Sequence, residues 1–512
     1  MKKLLLALLL LATLGCSVYA QGNRKIQYRA DMGYYDEDVL QGAQRLVGNV
    51  AFVQDNVRGY CDSALLYEAD NYIIALGNPV KILVGDSVKL YGRRANYDGN
   101  AHMASIAVRV RLEKGKVVLT SDSLIYDTRN EIGSYVTGGR LVNEEDTMTS
   151  IEGRYYTKTD DAFAKRDVNL WNDTYHIDCE EIQYNTVSKI AYFISPTHLL
   201  SNDQKQEIFT DRGWYDTDSE LSTLVGNVKM YSESQSISAD SVYYTREDRF
   251  GRAWNNVCVV DTAENYILKG NYVEYHELGG ISFATDSTLA IYIDENRDSV
   301  FLHADTIKVM FDDAHKAEWG RAFNHVKFYR SDMQGACDSL VYVAADSTTT
   351  MYFNPVLWTE NYQLTADTIR YVSLENKMSR LEMIKAGFVV GGLFEDEDFN
   401  QIKGNYITGF LKDQELNRVD VLGNAECVYY LQEEDSSLIG INTSVTNEMR
   451  IFLDKNKIKQ IRFYDVPDGK VYPDEKFEEK NRKLQDFRWL SAYRPRTVME
   501  LFVNPIPRYK SE

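Results

Sequence analysis

Proline is scarce here, with 8 copies in 512 residues, and the chain has no proline-rich linker to divide it. After the first twenty residues, no apolar run reaches the roughly 18 residues that a membrane-spanning helix needs. Cysteine is infrequent, no two stand in a Cys-x-x-Cys pair, and the 7 histidines are scattered, so no metal site is expected. Gly-x-Ser-x-Gly, His-Glu-x-x-His and a phosphate-binding loop are all missing. Neither an enzyme nor a cofactor-binding protein is therefore expected, and no catalytic residue is nominated. Positive charge is also in deficit: 57 Lys and Arg against 76 Asp and Glu give a formal charge of -19. Such a surface repels phosphate backbones, which excludes nucleic acid as a general partner.

The N-terminus has the makings of an export signal. Lys2 and Lys3 precede an apolar run from Leu4 to Ala12, and Val18-Tyr19-Ala20 offers a small-residue cleavage site, giving a signal peptide over 1–20. An alternative is lipoprotein processing at Leu14-Gly15-Cys16, although Thr13 stands where a larger aliphatic residue is usual. After cleavage at Ala20 the cysteines are Cys61, Cys179, Cys258, Cys337 and Cys427, an odd set that cannot all pair within one chain. Cys61, Cys179 and Cys337 are expected at equivalent positions, as small buried side chains too far apart to bridge.

Tyrosine is abundant, with 36 copies, and Val, Ile and Thr recur throughout, which is strand composition. Two signatures alternate along the chain. The first is small-Asp-Ser/Thr followed by alternating apolar residues, as in Cys61-Asp62-Ser63, Gly85-Asp86-Ser87, Ser121-Asp122-Ser123, Ala239-Asp240-Ser241, Ala304-Asp305-Thr306, Cys337-Asp338-Ser339 and Ala366-Asp367-Thr368. The second is Gly/Asn-Asn-Val, as in Gly48-Asn49-Val50, Gly226-Asn227-Val228 and Asn255-Asn256-Val257, with the variant Asn324-His325-Val326. The interval from Val to the next Asp is the same for Val50 and Asp62, Val228 and Asp240, and Val326 and Asp338. The Asn and Asp anchors read as turn residues at the starts of strands.

A period of two places alternate residues on one face of a strand. The candidate inward residues are thus Val50, Phe52, Val228, Met230, Val326 and Phe328 from the second signature. From the first come Leu66, Val88, Leu90, Val242, Tyr244, Leu340 and Tyr342. Stacked units line one apolar interior, divided as an N-terminal part over 21–200 and a C-terminal part over 201–465. The repeat fades in a tail, 466–512, where the spacing of Phe477, Leu484, Phe487 and Leu490 predicts a short amphipathic helix capping an end of the stack.

The iterated Gly-Asn-Val and Ala-Asp-Ser-x-x-Tyr units resemble the OstA-like family, which includes the lipopolysaccharide-transport proteins of the LptA type. The resemblance covers roughly 25–440 and is made of short, degenerate motifs. It implies an all-β, elongated open β-jelly-roll, a folded-over sheet whose apolar interior shields the acyl chains of lipid A in the periplasm. The implied partners are lipopolysaccharide, other transport proteins joined by edge-strand pairing, and a second copy end to end. This chain departs from the family's short members in its length and C-terminal tail. Rival readings are a secreted carbohydrate-binding stack of strands or an envelope scaffold.

Overall fold

The computed structural model describes residues 25–35, 42–294, 297–312, 316–360, 362–374, 378–393, 397–413, 415–433, 437–454 and 457–503. The expected signal segment and Cys16 lie outside the described residues. The chain is an all-β protein in which strand follows strand, paired antiparallel with its neighbours. It forms two compact units: Met1–Gln204 with Asp211–Asp218, and Lys205–Thr210 with Ser219–Glu512.

The two sequence signatures turn out to be the two sides of one structural device. In the strand Gln44–Gln54, Gly48 and Asn49 have φ of 81° and 42°, and the pairing with Val57–Tyr67 shifts between Val47 and Val50. Val47 faces Ser63 and Val50 faces Cys61, so Gly48-Asn49 oppose the single residue Asp62. Two residues against one is a β-bulge, which bends the strand sharply. The same count places Asp122 opposite Val108-Arg109, Asp240 opposite Gly226-Asn227, Asp305 opposite Asp286-Ser287, and Asp338 opposite Asn324-His325. All of these bulge residues have positive φ. Gly, Asn and Asp tolerate that region best, which is why the second signature is written with them.

The anchors therefore sit at mid-strand corners and not at strand starts, a correction to the sequence reading. Their polar groups serve backbone and side chains exposed by the bend. Asp62 accepts from the Asn78 amide at 3.1 Å, Asn256 Nδ2 donates to Asp240 at 3.1 Å, and His325 Nδ1 lies 2.9 Å from Asp305. Two copies depart from the rule: Asp86 occupies the hairpin turn between Tyr72–Val84 and Val88–Asp98, and Asp367 stands in the break between Tyr362–Thr365 and Thr368–Ser373.

Each corner folds the sheet into two leaves. In Val57–Tyr67 the buried positions are Val57, Gly59 and Cys61 before the corner, then Ala64 and Leu66 after it. Across the fold of the N-terminal unit, Phe52 stacks on Tyr97 with ring centroids 6.1 Å apart. Gly59 lies beneath the Phe52 ring, where an added Cβ would meet ring carbons at 2.0 Å, and Gly335 has the same relation to Phe328 at 2.2 Å. The two units thus share this glycine–phenylalanine contact beside the corner.

The tail departs from expectation. Short 3-10 turns at Asp474–Lys476, Glu479–Asn481, Ser491–Tyr493 and Val498–Phe502 replace the amphipathic helix. It also does not cap an end, since it crosses the outer face of the C-terminal unit. Phe477 packs on Val428, Tyr430 and Ile441; Leu484, Phe487 and Trp489 on Phe388, Val390 and Phe399; Leu490 on Ala336, Val356 and Trp358. Buried glutamines of the sheet supply the reason. Gln401 Nε2 donates to the Arg482 carbonyl at 2.7 Å and its Oε1 accepts from the Leu484 amide at 2.8 Å. Gln363 does the same with the Arg488 carbonyl and the Leu490 amide. Backbone groups that a helix would have paired internally are paired with the sheet instead.

Candidate functional site

The inner apolar strip is the feature that recurs through the whole fold, and it differs between the units. In the N-terminal unit Val50, Phe52, Leu66, Val88 and Leu90 are all buried, none more than 3% exposed. The interior is packed to the rims, and the rims are tied together. Gln54 Nε2 donates to the Gly99 carbonyl at 2.9 Å, joining a hairpin turn of one leaf to a turn of the other. Asn143 Nδ2 donates to the Thr186 carbonyl at 2.8 Å, and Tyr184 donates its hydroxyl proton to Asp146 at 2.6 Å. Tyr126 bonds Thr157 at 2.7 Å within the same closed interior. Burial pushes the Tyr97 and Tyr126 hydroxyls up to about 12, and the Cys61 thiol up to about 11.

In the C-terminal unit the residues beside the corners are buried: Val228, Val242, Val326 and Leu340. Farther out the strip opens. Met230, Tyr244 and Phe328 are half-buried, and Tyr342 is 38% exposed, so it stands at the rim and not in the interior as expected. Tyr371, at the equivalent position, is 40% exposed, and Tyr292 is 53% exposed. A trough results, with an apolar floor and an aromatic, half-wetted rim. The structure thus divides the nominated residues into one filled set and one accessible set.

Cys61, Cys179 and Cys337 occupy equivalent corner positions, facing Val50, Val168 and Val326. All three are free thiols. Sequence reasoning missed the rim ties of the N-terminal unit and the glutamines beneath the tail. Asn143, Gln54, Gln363 and Gln401 stand at strand positions where a polar residue usually faces water, so no local pattern distinguished them.

Residues 24–180 match the family model described as OstA-like protein. Over those residues the chain is OstA-like. Among solved structures, it is similar to the crystal structure of LptH, titled the LptA homologous periplasmic component of the conserved lipopolysaccharide transport device from Pseudomonas aeruginosa. That match has 18% identity and a TM-score of 0.20, and covers 22% of this chain and 80% of LptH. No curated protein matches the chain. The family match ends within the N-terminal unit, so the open trough belongs to the part of the chain beyond it.

Proposed function

We propose that this OstA-like protein is a periplasmic component of the lipopolysaccharide-transport type, a carrier without catalytic chemistry. Acyl chains of lipid A lie in the trough of the C-terminal unit, along Val228, Met230, Val242, Tyr244, Val326, Phe328 and Leu340. Exposing an acyl chain to water costs about 0.8 kcal/mol per CH₂, so a multi-chain lipid needs a continuous apolar surface to travel through the periplasm. The single observation that carries this reading is the half-buried apolar rim of the trough, where Met230, Tyr244 and Phe328 are only partly covered by the protein's own side chains. The N-terminal unit, filled with its own side chains, acts as a docking module. Its strands Gln27–Arg29 and Met32–Tyr35 are exposed at every residue and pair with Gln44–Gln54, which suits strand addition by another transport protein or a second copy.

A photoreactive residue placed at Met230, at Phe328, at Phe52 and at the outward Lys229 tests the reading in living cells. Lipopolysaccharide adducts at Met230 and Phe328, with none at Lys229, support it. Equal labelling at all positions, or none with the fold intact, overturns it in favour of a scaffold. Labelling at Phe52 alone moves the lipid to the other unit.

A further inference from the structure

In Val57–Tyr67 the residues Val57, Gly59 and Cys61 turn inward, so Arg58 and Tyr60 face out, and the same parity can be followed from strand to strand across the N-terminal unit. Tyr60 pairs with Lys81, Lys81 with Tyr91, Tyr91 with Arg111, Arg111 with Thr120, and Thr120 with Arg140. A second outward row, one step nearer the hairpin turns, runs through Arg58, Leu83, Lys89, Glu113 and Val118. Arg29 joins the first row through Ala51. The rows thus cross eight strands, from Gln27–Arg29 to Gly139–Asn143, a span of about 34 Å at ~4.8 Å per strand.

The charge of this face is opposite to that of the chain. Six cations stand in the two rows, Arg29, Arg58, Lys81, Lys89, Arg111 and Arg140, each on its own strand. They meet one carboxylate, Glu113, which Arg111 holds at 2.7 Å. The whole chain has 57 Lys and Arg to 76 Asp and Glu. All six are exposed except Lys81, which is half-buried with its Nζ 6.0 Å from the centre of the Tyr91 ring. Other carboxylates lie on the borders. Asp31, Asp62 and Asp122 stand along the corner with Arg93 and Arg109, and Asp55, Asp86 and Glu144 stand in hairpin turns, where Arg58 approaches Asp86 and Lys116 binds Glu144. Aspartate side chains are short, so the longer Lys and Arg reach farther from the sheet. Salt screens the more distant acidic groups of the chain beyond about 8 Å.

Apolar groups fill the spaces between the cations. Val53 and Tyr60 are 38% and 39% exposed, and Leu83, Tyr91 and Val118 are half-buried. In the C-terminal unit the matching outer rows hold Gln334, Gln363 and Gln401 and are covered by the tail, whereas here they stand open. Cations with tyrosines and aliphatic side chains at one level suit a lipid headgroup layer, in which phosphates meet the charges and the rings lie at the acyl boundary. Cations spread one to a strand, and not gathered around a pocket, fit many small mobile anions better than one cluster of acidic side chains.

We propose that this face docks the N-terminal unit on a bilayer surface rich in anionic phospholipid headgroups. The contact is peripheral and does not depend on lipid being carried in the trough of the other unit.

Sedimentation of the full mature chain with vesicles tests it, using phosphatidylcholine alone and phosphatidylcholine mixed with phosphatidylglycerol in equal parts. Binding to the mixed vesicles is expected at low salt and lost at about 0.5 M salt, with none to phosphatidylcholine alone. Lys81→Gln, Lys89→Gln and Arg140→Gln combined should weaken binding by about a hundredfold, at about fivefold per cation. Glu113→Gln, which removes the carboxylate of the face, should tighten it several-fold. Lys229→Gln with Lys269→Gln, on the outer face of the C-terminal unit, should leave it unchanged. Circular dichroism and thermal melts matching the parent confirm that the variants keep their fold. Absence of binding to the mixed vesicles at low salt overturns the proposal, as does parent-like affinity in the triple variant, or an equal loss in the Lys229 and Lys269 pair. Retention on immobilised polyglutamate with no sedimentation on vesicles also overturns it and gives the face to an acidic protein.

Discussion

The two units are made by the same corner and end in opposite states. In the N-terminal unit the leaves meet, Leu90 is 0% exposed, and Gln54, Asn143 and Tyr184 bind across the opening. In the C-terminal unit the corner-side floor is equally dry, yet Met230, Tyr244 and Phe328 are half-buried and Tyr342 is exposed. In the N-terminal unit, polar groups at the strand tips bind across the two rims. A folded sheet with complementary polar groups on its two rims closes and becomes a core. Without that closure the same sheet keeps a surface for a guest. An apolar repeat by itself therefore does not locate a binding groove.

The strongest test of this contrast is a charge placed in each interior. Leu90→Asp buries a carboxylate in a filled core and should cost the N-terminal unit at least about 4 kcal/mol, enough to unfold it. Met230→Asp in the half-wetted trough should cost about 1 kcal/mol. Urea melts combined with hydrogen exchange, read unit by unit, check both. Comparable losses would mean that the trough is as closed as the core.

Next in size is the tail. Gln401→Leu strands the Arg482 carbonyl and the Leu484 amide, and should destabilise the tail by about 2 kcal/mol. Limited proteolysis should then cut between Arg482 and Arg488 well before the sheet is attacked. Protection equal to that of the parent would show that the apolar contacts of Phe477, Phe487 and Leu490 hold the tail unaided.

A smaller effect is expected at the rim tie. Tyr184→Phe removes the hydroxyl bonded to Asp146, at a cost of about 1 kcal/mol. Faster amide exchange should be confined to the rim around 139–147 and 184–186. Exchange that stays at the parent rate would show that side-chain packing alone keeps the rims together.

The least is expected from His303, which is buried under Phe502 at a ring distance of 4.4 Å and whose pKa burial lowers below its usual 6.5. A base held neutral in this way contributes stability above pH 6.5, and loses it as the pH falls through the folded-state value. Amide exchange over Val498–Phe502 should accelerate on acidification, and His303→Phe should flatten that dependence. An unchanged pH profile in the variant would assign the effect to another group.

Much of this architecture was legible because the corner is written in residue types. Gly48-Asn49 and Gly226-Asn227 announce positive φ, and Asp62 and Asp240 mark the single residue facing them. What stayed illegible was which strand position each marks. An Asx residue that favours a turn looks the same at a hairpin, as Asp86 does, and in a mid-strand bend, as Asp62 does. The open trough was hidden for a related reason: Val88 and Val242 have the same inward parity, and only contacts distant in sequence decide whether the space beyond them is filled. The tail spacing at Phe477, Leu484 and Leu490 fitted a helix because periodicity does not register the glutamines that compete for its backbone.

The corner carries a consequence for how such a chain can change length. Bulged strands such as Gln44–Gln54 and Ser222–Tyr231 are each followed by an unbulged partner, Val57–Tyr67 and Gln235–Thr245. Losing one strand would bring two strands of the same kind side by side and reverse the direction of everything downstream. Losing or gaining a hairpin leaves every remaining corner matched. The hairpin is thus the indivisible unit of inheritance for this fold, and relatives should differ in length by whole multiples of it, with the tail placed wherever the glutamines of the sheet remain in step.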